Sequence, residues 1–123
     1  NVTNASVADS YVGGIVGRLA GAAISGCQNY AEVTSTNTSV GGLAGYVTGT
    51  ASVSSSYNEG RVQGNDQVGG LIGYMTEGTV SQNENKGDVY YVKNTYVGLI
   101  VGRNTSATIA DDNIAGGQLV QVQ

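Results

Sequence analysis

The chain has 123 residues, room for one domain, with a formal net charge of −4, 11% charged residues, 20 Gly, and no Pro, Trp, Phe or His. Its five basic residues, Arg18, Arg61, Lys86, Lys93 and Arg103, are scattered, so no stripe exists to neutralise phosphates, and neither nucleic acid nor an anionic membrane surface is an expected partner. The lack of His excludes a Ser-His-Asp triad and the helical zinc-peptidase motif within this chain.

The first element in chain order is the box Val12-Gly13-Gly14-Ile15-Val16-Gly17, and it recurs. The later copies are Val40-Gly41-Gly42-Leu43-Ala44-Gly45, Val68-Gly69-Gly70-Leu71-Ile72-Gly73 and Val97-Gly98-Leu99-Ile100-Val101-Gly102, with first valines spaced 28, 28 and 29 residues apart. A fixed period of this length predicts one structural unit repeated along an axis. Fixing a Gly in regular structure costs roughly 0.5–1 kcal/mol relative to Ala, on the order of 10–20 kcal/mol for the whole set. The glycines must therefore answer a need, either positive φ or backbone packed on backbone.

A second block follows each box. Ile24 to Val33 aligns without gaps to Val53 to Val62 and to Val80 to Val89, while the fourth copy, from Ile109, needs one extra residue to reach Leu119. Stacking the units gives four aliphatic columns: Val12, Val40, Val68, Val97; Ile15, Leu43, Leu71, Ile100; Ile24, Val53, Val80, Ile109; and Val33, Val62, Val89, Leu119. The columns are mostly β-branched and helix-forming runs are absent, which predicts strands. The reading is all-β: a parallel β-solenoid of about four coils, at 12–39, 40–67, 68–96 and 97–123, with roughly three short strands per coil between Gly, Asn and Ser turn signals. Side chains of one column then lie about 4.8 Å apart. The general crossover preference makes the coil right-handed.

Two polar columns stand out. Asn29, Asn58 and Asn85 coincide, predicting a stacked amide ladder at a corner that satisfies backbone groups and tolerates left-handed φ. The residue after each box reads Arg18, Tyr46, Tyr74, Arg103, an outer row able to pair by stacking and cation–π contact or to serve as an aromatic platform for a sugar or a partner protein. Tyr90 and Tyr91, with Tyr96 nearby, form a second candidate contact surface, alongside a packing role in a wider coil.

Three in-phase boxes resemble the GLUG-motif repeat family, named for Gly-Leu-hydrophobic-Gly. The resemblance is carried by Gly42-Leu43-Ala44-Gly45 and Gly70-Leu71-Ile72-Gly73, the variant Gly14-Ile15-Val16-Gly17, and the links at Cys27 to Tyr30 and Ser56 to Val62. It covers roughly residues 7 to 119. It implies a bacterial surface or secreted protein in which the repeats act as stalks or accessory regions, in adhesins or beside the catalytic domain of IgA-cleaving zinc metallopeptidases. No single activity is attached to the repeat. In the last unit Leu99 replaces the second glycine and Asp111-Asp112 replaces the Asn/Ser/Cys stretch, which suggests a terminal, capping-like turn.

Other chemistry finds little support. Cys27 is alone, so it makes no internal disulfide and no metal site, and reads as a small buried apolar residue. Asp111, Asp112, Glu84 and Asp88 fall on different turns and read as solvated charge rather than paired catalytic carboxylates. The calcium nonapeptide of β-rolls and the phosphate loop are absent. Thr34 to Ser39 is Thr-rich, but the equivalents after Val62 and Val89 are not, which argues against an ice-ordering face. Asn1, Asn4, Asn37 and Asn104 head Asn-x-Ser/Thr triplets that matter only in a eukaryotic secretory path. No apolar run reaches the roughly 20 residues needed to cross a bilayer. The missing initiator Met and signal peptide suggest an excised or mature piece of a longer chain. The expectation is a cofactor-free, metal-free, non-catalytic stalk or adhesion segment, extracellular, facing a host or matrix protein or glycan, with end-to-end self-association through open sheet edges. Alternatives are a carbohydrate-binding module using Tyr46 and Tyr74, and an accessory region of a secreted metallopeptidase.

Overall fold

Every strand among the described residues pairs with the strand one turn before or after it, and every such pairing is parallel. The computed structural model describes residues 11–36 and 38–122, together with the backbone of Val2–Asn4. The described residues contain strands, bends and turns, and no helix. Five sheets run the length of a β-solenoid of about four turns.

Within the second turn the strands are Thr38–Gly41, Ala44–Thr48, Ser52–Ser54, Tyr57–Asn58 and Val62–Gly64. The other turns repeat this order, and Val2–Asn4 adds a fifth strand to the sheet that contains Val33–Ser35. There are thus five short strands per turn where the sequence predicts about three. Left-handed backbone at non-glycine residues falls in two columns. Ser39 (φ 61°) and Gln67 (φ 52°) form one left-handed column. Gly26 (φ 66°), Ser55 (φ 50°) and Gln82 (φ 57°) form another. Polar contacts hold these corners: Ser39 Oγ donates to Gln67 Oε1 at 2.7 Å, and the Gln67 N–H donates to Asp66 Oδ1 at 2.8 Å.

All four aliphatic columns form. The register places Val12 by Val40, Val40 by Val68 and Val68 by Val97, and likewise aligns Ile24, Val53, Val80 and Ile109, and Val33, Val62, Val89 and Leu119. Backbone bonds from Ile15 to Leu43, Leu43 to Leu71 and Leu71 to Ile100 carry the remaining column around the corner. Inside the stack these side chains are fully buried, Leu43, Leu71, Val53 and Val62 among them. Some end members are not: Ile15 is 43% exposed, Ile109 38% and Leu119 45%, although Val12 and Ile24 on the first turn stay buried. Each turn's apolar row is sealed by its neighbours, so an end row has one side open. The fourth turn is a full coil, with all five of its strands paired to the third. Its extra residue is absorbed in the turn at Asp111-Asp112, and Asn113 takes the place below Asn83.

The core divides into two clusters. One is all valine: Val12, Val33, Val40, Val62, Val68 and Val89. The other includes Leu43, Leu71, Ile72, Met75, Val47 and Val80. Leu19, Val47 and Met75 make a further column beyond the four expected from the sequence.

The box glycines answer the packing need, not the φ need. None of Gly13, Gly14, Gly17, Gly41, Gly42, Gly45, Gly69, Gly70 or Gly73 has positive φ. A Cβ on Gly41 would stand 2.7 Å from the Leu71 carbonyl oxygen of the next turn, and one on Gly42 would overlap the Gly70 carbonyl. The box is a corner that nests on the corner beneath it.

Candidate functional site

The asparagine ladder is structural and continuous. Asn29 Nδ2 donates to Asn58 Oδ1 at 2.8 Å, Asn58 Nδ2 to Asn85 Oδ1 at 3.0 Å, and Asn85 Nδ2 to the Gly116 carbonyl at 3.1 Å. Each amide also bonds the carbonyl two residues on in its own turn, at Ala31, Gly60 and Gly87. The left-handed φ expected here is not found: all three asparagines sit in strands, extend inward and are buried. A second polar column was not foreseen. The Cys27 N–H donates to Ser56 Oγ at 3.0 Å, Ser56 N–H to Asn83 Oδ1 at 3.0 Å, and Asn83 N–H to Asn113 Oδ1 at 3.1 Å. Among the described residues no buried side-chain nitrogen or oxygen lacks a partner. These two columns are therefore closed networks and hold no ligand-seeking group. Cys27 is half-buried rather than buried, because it lies on the first turn and only its inner side packs on the core.

The outer row does form as a row. Arg18 pairs with Tyr46, Tyr46 with Tyr74 and Tyr74 with Arg103 in register. The Tyr46 and Tyr74 rings stack at 5.1 Å and 30°. Two tyrosines from the corner segments join them: Tyr11 stacks on Tyr46 at 4.7 Å, and Tyr96 packs with Arg103, whose guanidinium lies 4.5 Å from the Tyr96 ring and 4.8 Å from the Tyr74 ring. Arg18 stands 5.6 Å from the Tyr46 ring. Strand alternation puts Tyr46 and Tyr74 outward while Val47 and Met75 point to the core. The result is a three-ring stack, Tyr11–Tyr46–Tyr74, extended through the Arg103 guanidinium to Tyr96, with Arg18 beside Tyr46. Ring faces are largely taken by neighbours, and edges, hydroxyls and cationic groups meet solvent.

Tyr90 and Tyr91 do not form one surface. Tyr90 lies outward beneath Arg61, 4.9 Å from its guanidinium, and Arg61 also bridges Glu32 at 2.6 Å. Tyr91 turns inward and packs against the valine cluster. The acids are separate too. Asp112 Oδ1 accepts from the Gln82 N–H at 2.9 Å and Asp88 Oδ1 from the Gln118 N–H at 3.0 Å. No group of three His, Cys, Asp or Glu among the described residues is arranged to hold a metal. Thr34 Oγ1 donates to Glu32 Oε1; its register partners are Thr3 on one side and Gln63, then Tyr90, on the other, so two threonines align but no row runs along the turns. Asn104 bonds Ala107 through both ends of its amide. Asn1, Asn37 and the Asn4 side chain lie outside the described residues.

A further aromatic contact escaped the column alignment. Tyr30 and Tyr57 meet at 5.6 Å with ring planes at 86°, and their hydroxyls are hydrogen-bonded to each other. That bond, with the nearby charges of Glu59 and Glu84 contributing less, pushes the Tyr57 hydroxyl up from 10.0 to about 12.

Comparison with known proteins adds one finding. Residues 36–63 match the family model of the GLUG motif, consistent with a GLUG-motif repeat protein. The matched span holds the second box and the Asn58 block, which the structure shows to be one turn of the solenoid. No curated protein and no solved structure matches the chain.

Proposed function

We propose that this chain is a non-catalytic repeat segment of a bacterial surface or secreted protein, a stalk that carries a protein-binding face of tyrosine and arginine. The coarse part of this reading, a structural repeat region, agrees with the GLUG match and the solenoid fold. The observation that carries the finer part is the Tyr11–Tyr46–Tyr74 stack flanked by Arg18, Arg103 and Tyr96. Tyr and Arg dominate the energetic centres of protein interfaces because they bring large contact area at low entropic cost. Here the stack already holds them rigid on strands, so docking a partner orders little more.

The same stacking weighs against the sugar-platform alternative. A pyranose ring docks on a free aromatic face, and the faces of Tyr46 and Tyr74 are turned to each other and to their neighbours. The test is binding to a panel of matrix proteins and to a glycan array, with wild type and the Tyr46→Ala/Tyr74→Ala double variant. A protein ligand lost on double substitution is expected. Sugar binding lost in the same variant would replace this reading with the carbohydrate one. Bond-cleaving activity abolished at Asp111 or Asp112 would overturn both.

A further inference from the structure

Tyr30 and Tyr57 lie on adjacent turns, apart from the Tyr–Arg row. Tyr30 is 61% exposed, and Tyr57 lines a shallow open groove with Ser55, Gln82, Glu84 and Asp112. Both are open to solvent-borne reagents. The Tyr30 hydroxyl donates to Gln28 Oε1 at 2.9 Å. A phenol has one proton to give, so in the hydroxyl–hydroxyl bond Tyr57 is the donor and Tyr30 the acceptor. The Lys86 ammonium lies 5.8 Å from the Tyr57 ring centroid, while Tyr57 meets Tyr30 edge-on.

We propose that Tyr30 and Tyr57 form an oxidative modification site, at which a peroxide-driven one-electron oxidant of the haem-peroxidase class joins the two rings into an intramolecular dityrosine link between the first and second turns. Each phenol loses one electron and its hydroxyl proton to give a phenoxyl radical. The radicals couple between the ring carbons next to the hydroxyls. Each coupled carbon then loses its hydrogen as a proton, and each oxygen regains one. In sum one carbon–carbon bond forms and two carbon–hydrogen bonds break. Two electrons and two protons pass to hydrogen peroxide, whose oxygen–oxygen bond breaks to give two waters.

Geometry selects this pair. The new bond lies in the planes of both rings, tolerates a steep twist between them, and leaves the two oxygens hydrogen-bonded. The Tyr30–Tyr57 pair already has the steep twist and the hydrogen-bonded hydroxyls, and a small rotation of the exposed Tyr30 ring brings the edges beside those hydroxyls together. The Tyr11–Tyr46 and Tyr46–Tyr74 pairs lie face on face at 28° and 30°, so their in-plane bonds point past each other. One ring must leave the stack before either pair can couple. The proposal is independent of any binding role of the Tyr–Arg row.

The experiment treats the purified chain with a haem peroxidase and limiting hydrogen peroxide, then cleaves after Arg, Lys and Glu. Tyr30 and Tyr57 then fall in separate peptides, Leu19 to Glu32 and Val33 to Glu59. The expected product is monomeric, shows dityrosine fluorescence, and yields these two peptides joined with the loss of two hydrogens, with fragmentation placing the link at Tyr57 rather than Tyr46. Tyr30→Phe and Tyr57→Phe, each shown folded by circular dichroism, should lose most of the fluorescence, and Tyr46→Phe/Tyr74→Phe should keep it. A link through Tyr46, a product found only between chains, fluorescence unchanged by Tyr30→Phe, or no dityrosine at all would each overturn the proposal.

Discussion

The side-chain amide of Asn58 occupies the space that a Cβ on Gly42 would need, with Nδ2 only 2.6 Å from that position. Gly14 stands in the same relation to Asn29, and Gly70 to Asn85. The glycine box and the asparagine block, widely separated in sequence, are thus two halves of one packing solution. The fourth turn changes both together: Leu99 stands where the box glycine is expected and Ala115 where the asparagine is. Gly42→Ala should therefore destabilise the fold by about 1–3 kcal/mol through overpacking. Asn58→Ala should recover part of that loss in the double variant, with a coupling of about 0.5–3 kcal/mol for contacting residues. The clash with the Gly70 carbonyl remains, so recovery is incomplete. Urea denaturation of the four proteins measures the cycle, and strict additivity would contradict it.

Asn58 is the middle rung of the amide ladder, and its loss is expected to cost more than the loss of Asn29. It donates to Gly60 and Asn85 and accepts from Asn29, all within 3.0 Å. Removing it leaves a buried carbonyl and amide partners unmatched, at about 1–3 kcal/mol for each orphaned group. Asn29 also makes three bonds, but one is a long 3.3 Å contact from the Ala31 N–H and the residue is an end rung nearer solvent, so the groups it leaves are more readily hydrated. The check is a lower urea midpoint for Asn58→Ala than for Asn29→Ala at equal slope.

The columns were legible because aliphatic residues recur at one interval, and a parallel stack turns equal sequence position into contact. The five-strand division was not, because the left-handed positions mix residue types, Gly26 aligning with Ser55 and Gln82, and Ser39 with Gln67, so no single turn residue recurs. The Arg18–Tyr46–Tyr74–Arg103 row was read correctly, yet Tyr11 joins it from a corner segment that no column contains. Tyr30 and Tyr57 were missed for a related reason. Tyr30 follows its ladder asparagine and Tyr57 precedes its own, so alignment separates two residues that meet on the diagonal.

The Tyr–Arg row contributes to stability as well as to the proposed interface. Tyr74 stacks on Tyr46 and beside Arg103. An aromatic pair contributes about 0.5–1.5 kcal/mol beyond its area, and an exposed cation–π contact about 0.5–1 kcal/mol. Tyr74→Ala should therefore cost more than Arg103→Ala, and both should leave the fold intact by circular dichroism. In a partner-binding assay Arg103→Ala should weaken the complex with little change in thermal midpoint. Equal losses of stability and binding would place the row in packing alone.

Alkaline titration should reveal Tyr57. Its hydroxyl proton is held to about 12 in the folded chain against 10.0 for the free group, first through the bond with Tyr30. The folded chain then binds more protons than the unfolded one between those values, so the group's contribution to stability is fully present below pH 10.0 and is lost as pH rises towards about 12. Tyr57→Phe should remove the component near pH 12 from the tyrosinate absorbance curve. It should also flatten the loss of stability above pH 10.0, measured by urea midpoint against pH. A difference curve between wild type and variant centred at the ordinary tyrosine value of 10.0 would mean that the Tyr30–Tyr57 bond does not persist in solution.

Head-to-tail association of the isolated chain is the remaining expectation, and its two driving terms oppose each other. Ile109, Ile114 and Leu119 are exposed on the fourth turn, and the fourth-turn strands at Thr108–Ile109, Ile114–Ala115 and Leu119–Gln121 each have one unpaired edge. Both features favour a second solenoid stacking on that end. The Tyr–Arg row, however, has Arg18 on the first turn and Arg103 on the fourth, so in-register stacking would bring two guanidinium groups together. Salt screens that repulsion, with a Debye length of about 10 Å at 0.1 M, and leaves apolar burial in place. Association measured by light scattering should therefore increase with ionic strength, and Arg103→Gln should raise it at low salt towards the high-salt level. A chain that stays monomeric at millimolar concentration in high salt would show that the open edges do not drive self-assembly.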